Sequence, residues 1–73
     1  MHSIQVYIDE TLSEKYLLEI KNLLLTIPHV TNVEVNSKTP HDVVVEYEAH
    51  HNIPMEVVEK LSGEGLHSDI ISA

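Results

Sequence analysis

Ile27-Pro28-His29-Val30-Thr31-Asn32-Val33-Glu34-Val35 is the stretch on which the fold turns. The hydrophobic period changes inside it. Before Pro28 the apolar residues recur at helical spacing; after it they alternate. Proline has no N–H and disfavours the helical region for the residue before it, so a helix stops here. Val33 and Val35, separated by Glu34, then read as the inward face of a strand over residues 30–36.

Upstream, Leu17, Ile20, Leu24 and Ile27 fall on one face of a helix expected from about Leu12 to Ile27, with Tyr16 and Leu23 at its margin. Thr11-Leu12-Ser13-Glu14 matches a capping box, in which Thr11 accepts from the backbone of Glu14 and the Glu14 carboxylate reaches back. Leu18 and Leu25 point away from the buried stripe and lie one heptad apart. They form a candidate partner-binding strip, or two tolerated surface leucines. Before this helix, residues 3–8 alternate strictly. Ile4, Val6 and Ile8 face one way and Ser3, Gln5 and Tyr7 the other, as in a half-buried strand.

Downstream, Ser37-Lys38-Thr39-Pro40 supplies a turn and residues 42–48 a third strand. Val43, Val45 and Tyr47 share its inner face; Val44, Glu46 and Glu48 share the outer. Asn52-Ile53-Pro54 opens a second helix with proline in its first turn. Val57, Val58 and Leu61 form its apolar side, with Met55 a candidate to join them, and Gly63 and Gly65 end it. Leu66 to Ile71 is the last strand, whose parity is ambiguous because Ile70 and Ile71 are adjacent.

The order is β-α-β-β-α-β. Right-handed crossovers interleave the two β-α-β units into a four-stranded antiparallel sheet with both helices on one face. The expected class is α+β, a ferredoxin-like open-faced sandwich, with residues 1–73 as a single domain. The uncovered face carries Gln5, Tyr7, Glu34, Val44, Glu46 and Glu48, so it is polar and acidic.

Composition narrows the function classes. A net charge of −8 repels phosphate, which sets nucleic acid and anionic membrane surfaces aside and leaves cations and basic protein surfaces compatible. There is no cysteine, which removes disulfides, thiolate sites and cysteine nucleophiles and fits a reducing, cytoplasmic location. No charged leader precedes an apolar run, so no signal peptide is expected, and the most apolar segment, Leu17 to Ile27, is too short to span a bilayer. No nucleophile, base and orienting group stand at a meaningful spacing, and the chain reads as non-enzymatic.

The Ile27–Val35 run resembles the Leu-Pro-Gly-Val-x-x-Val-x-Val segment of heavy-metal-associated, copper-chaperone-like domains. Val43-x-Val45-x-Tyr47-Glu48 is similar to that family's third strand, and Gly65-Leu66 stands where those domains carry Gly-Tyr. The resemblance covers nearly the whole chain and implies the same scaffold. The family's Cys-x-x-Cys pair would fall on Ser13 and Tyr16, counting back from Pro28. Neither is a soft thiolate donor, so the family's metal activity does not carry over to this loop.

Six histidines remain as candidate ligands. The topology gathers His2, His29, His50 and His51 at one end of the sheet, with the Met1 amine beside His2. It sends His41 and His67 to the other end, near the position of the missing cysteines. Strand parity puts His2 and His51 on the helix side and His50 on the sheet side. Imidazole and amine donors suit a borderline divalent ion, Cu(II) or Ni(II) before Zn(II), with Glu48 near enough to ligate or to orient a ring. The expectation is a metal-handling protein with His2, His50 and His51 as its ligands and the Met1 amine or His29 completing the site. The alternatives are a metal-free interaction module or homo-oligomer of the same fold, and a surface whose histidines simply titrate.

Overall fold

The computed structural model describes residues 2–49 and 52–72. The elements run β1 (His2–Ile8), α1 (Glu14–Leu25), β2 (Val30–Val35), β3 (Asp42–Tyr47), α2 (Ile53–Gly63) and β4 (Ser68–Ser72). The sheet order is β2-β3-β1-β4, antiparallel throughout, so the expected architecture holds. Ile4, Val6 and Ile8 from β1 meet Val33 from β2, Val43, Val45 and Tyr47 from β3, and Leu17, Ile20 and Leu24 from α1 in one buried cluster. Ile53, Val57 and Leu61 of α2 close it. With no Trp or Phe available, this core is aliphatic but for Tyr47. Each such side chain contributes roughly 1.5–3 kcal/mol when fully buried.

Two β-bulges settle what strict alternation could not. Val30 pairs with Tyr47 and Asn32 with Glu46, leaving Thr31 as the extra residue. The slip turns Val30 toward the core, where it packs half-buried. On the other edge Val6 pairs with Ile70 and Gln5 with Ser72, leaving Ile71 unopposed. Ile70 therefore packs on the core while Ile71 is exposed, which resolves the adjacent-isoleucine ambiguity.

The helix ends differ from expectation in three places. Ser13, not Thr11, caps α1: its backbone is extended and its Oγ accepts from the Tyr16 amide at 3.2 Å. Leu12 is drawn into the core ahead of the helix, so the chain stays extended past Thr11 and the closer hydroxyl becomes the cap. Gly63 lies within α2, and Gly65 alone terminates it. Gly65 has φ 80°, and the amides of Gly65 and Leu66 return to the carbonyls of Ser62 and Leu61. This is a Schellman closure, with Leu66 buried behind it. Met55 does not join the core and is 61% exposed; Ile53 takes that place.

Candidate functional site

The two ends of the sheet hold different histidine arrangements. At one end the segment between β1 and α1, which leads into Ser13 and Tyr16, is tied down by two histidines. His67 donates from its backbone amide to Glu10 Oε1 at 2.9 Å and from Nδ1 to Glu10 Oε2 at 2.7 Å. The Asp9 amide donates to the His67 carbonyl at 2.8 Å, extending the β1–β4 ladder by one step. The adjacent imidazole raises nothing on Glu10; its hydrogen bond holds the carboxyl below its ordinary range, and the carboxylate in turn raises the His67 pKa. His41 acts from the β3 side. Its Nδ1 lies 2.7 Å from the Ile8 carbonyl, which can only accept, so Nδ1 carries the proton. In the neutral ring Nε2 is then an acceptor for the Thr11 hydroxyl, 3.3 Å away. The His41 ring also stacks on Tyr7 with centroids 5.1 Å apart.

Ser13 and Tyr16 are joined to each other by the helix cap rather than presenting thiolates. The Glu10–His67 clamp was not legible beforehand, because Glu10 belongs to no periodic pattern. Only the placement of His67 near this loop pointed toward it.

The opposite end gathers the start of β1, the α1–β2 loop and the exit of β3, as the topology predicted. His2 pairs with Tyr47 across β1 and β3, and Val30 pairs with the same Tyr47 from β2. The His2 ring stacks on Tyr47, centroids 5.6 Å apart and 23° between planes, which places His2 on the helix side. His29 precedes Val30 and has φ 74°, the left-handed region. It stands where the motif of the resembling family has glycine, so a side chain is carried here at a conformational cost of about 1–2 kcal/mol. Its carbonyl accepts from the Glu48 amide at 2.8 Å, which fixes the loop against the end of β3. Glu48 itself is exposed.

Tyr47 thus pairs with His2 on one side and with Val30, the residue after His29, on the other. Met1, His50 and His51 lie outside the described residues. Among the described residues no group of three or more His, Cys, Asp or Glu is placed to hold a metal ion. Leu18 and Leu25 are both exposed on α1, as their helical phase requires, at 54% and 38%. Among the described residues no helix is long and apolar enough to cross a membrane.

No family model matches the sequence, and no curated protein sequence does either. Solved structures match it closely in shape. The yeast copper transporter domain CCC2A, known in apo and Cu(I)-loaded states, superposes with a TM-score of 0.84 at 14% identity, covering 97% of this chain and 96% of that one. The N-terminal domain of PacS from Synechocystis PCC6803 gives 0.81 at 18% identity, covering 99% and 100%. Oxidized MerP from Ralstonia metallidurans CH34 gives 0.80 at 12% identity, covering 97% of each chain. Identities this low speak for the fold alone. The chain has the fold of the heavy-metal-associated domains, in a divergent form without their Cys-x-x-Cys pair.

Proposed function

We propose that this protein handles a metal ion with histidine in place of cysteine, at the pole formed by the start of β1, the α1–β2 loop and the exit of β3. The observation that carries this reading is His29. A histidine is held in a left-handed turn that glycine would occupy freely, next to Val30, which pairs with Tyr47 from β2 as His2 does from β1. Strain kept at one exposed side chain is a pointer to function rather than to stability. His50 and His51 follow Ala49 directly in sequence, and Met1 precedes His2, so the proposed ligands are His2, His29, His50 and His51, with Met1 beside them.

The donor chemistry selects the ion. Cu(I), named for the yeast domain, prefers sulfur, and the only sulfurs here are the thioethers of Met1 and Met55. Imidazole donors favour Cu(II) or Ni(II), with Zn(II) next. A non-enzymatic role in a reducing compartment such as the cytoplasm fits the absence of cysteine. The test is elemental analysis of the untagged protein as purified, followed by calorimetric titration with Cu(II), Ni(II) and Zn(II). One-to-one binding of Cu(II), weakened more than about tenfold by His51→Ala, is expected. Weak multi-site binding indifferent to that change rejects the site.

A second reading has its own observation. Leu18 and Leu25 are exposed one heptad apart on α1, which suits a metal-free module that docks a protein or a second copy along this helix. Sedimentation shows a concentration-dependent oligomer lost in Leu18→Asp if this strip is used; a strict monomer in both forms removes self-association through it.

A further inference from the structure

We infer that the uncovered face of the sheet is a docking surface for a basic protein segment rich in Lys or Arg. This goes beyond the metal reading and uses none of its residues. Strand register arranges the face in three cross-strand rows. Asn32, Glu46 and Ser3 form the first, Glu34, Val44 and Gln5 the second, and Asp42, Tyr7 and Asp69 the third. Every row carries a carboxylate and none carries a cation. Of the chain's four basic residues, Lys15 on α1, Lys38 in the β2–β3 turn and Lys60 on α2 belong to no row, and Lys21 on α1 lines a concavity with Gln5, Glu34, Asp42 and Val44 without forming an ion pair. Among the described residues the sole ion pair is His67 with Glu10, so Glu34, Asp42, Glu46 and Asp69 have no cationic partner.

The arrangement selects a polypeptide over a single ion. Successive rows lie about 7 Å apart along the strands, so the four carboxylates are spread out rather than convergent, and no metal-holding group occurs among the described residues. Between them stand Tyr7, 37% exposed, and half-buried Val44. An aromatic ring flanked by Asp42 and Asp69 on its two neighbouring strands offers a guanidinium or ammonium both a π-face and a counter-charge. The apolar centre suits the aliphatic stems of Lys and Arg. Two members are held in place beforehand. The Tyr7 ring is stacked on His41, and Glu46 Oε1 accepts from Asn32 Nδ2 at 2.8 Å.

The experiment is amide chemical-shift mapping with an amidated ten-residue Arg-Ser repeat, and a Glu-Ser repeat as control. Two double variants with equal charge change are compared: Glu34→Lys with Asp69→Lys on the sheet, and Glu59→Lys with Glu64→Lys on and after α2. All four positions are exposed, and a dispersed amide spectrum verifies that each variant is folded. Shifts centred on Tyr7, Val44, Glu46 and Asp69 are expected, with binding weakened more than about fivefold by the sheet variant and less than about twofold by the helix variant. Equal weakening by the two variants, or shifts centred on α1 and α2, overturns the assignment and leaves only diffuse attraction to an acidic chain.

Discussion

The carbonyl of His29 accepts a hydrogen bond from the amide of Glu48 at 2.8 Å. This one contact fastens the loop that ends α1 to the residue that leaves β3, and it does so with His29 in the left-handed region. Because the backbone geometry is fixed from outside, the ranking of substitutions at this position is determined. Among replacements that all lack a ring, His29→Gly and His29→Asn should exceed His29→Ala in stability, Gly by about 1 kcal/mol, and His29→Val should be lowest. Urea denaturation measures the order. Equal stability for the Gly and Ala variants would mean that the turn is not kept.

Glu10 and His67 make the protein's stability depend on pH with a defined sign. The folded-state pKa of His67 is raised above the ordinary 6.5, so its contribution is full below that value and disappears as pH climbs through the raised one. The folded-state pKa of Glu10 is lowered from the ordinary 4.5, so its contribution is full above that value and disappears as pH falls through the lowered one. The pair therefore acts fully only between the two ordinary values. Both groups are solvent-exposed, His67 at 80% and Glu10 at 36%, so the effect is small. NMR titration of the His67 ring should give a midpoint above 6.5 that moves back toward it in Glu10→Gln. A midpoint that does not respond to that substitution would show the clamp to be absent in solution.

Ser13 stands where a metal-binding cysteine would be expected and works instead as the cap of α1. Ser13→Ala should destabilise the fold by about 1 kcal/mol, while Thr11→Ala should cost less, because Thr11 makes its contact with His41 at 3.3 Å and caps nothing. Thermal or chemical denaturation of the two variants distinguishes them; the reverse order would restore the Thr11 capping box.

The legibility of the chain followed the strength of its local signals. The stripe Leu17, Ile20, Leu24 and Ile27 is buried as its spacing required, and so is the alternating set Ile4, Val6 and Ile8. Pairwise register was out of reach at Thr31 and Ile71, because a bulge is decided by the partner strand and leaves no mark of its own. The two cap candidates Thr11 and Ser13 could not be ranked without knowing that Leu12 enters the core. Of the candidate site, the shared pole of His2 and His29 followed from topology alone. The Glu10–His67 clamp joins residues 57 positions apart and carries no periodicity to announce it.

Single-histidine substitution at both ends of the sheet, read by Cu(II) calorimetry, addresses the metal site most directly. His2→Ala and His29→Ala should each lower the affinity by more than about tenfold, while His67→Ala, at the far end of β1, should leave it within about twofold. Equal affinities for all three variants, with no one-to-one step in any titration, would show that the ion has no home at the His2–His29 pole.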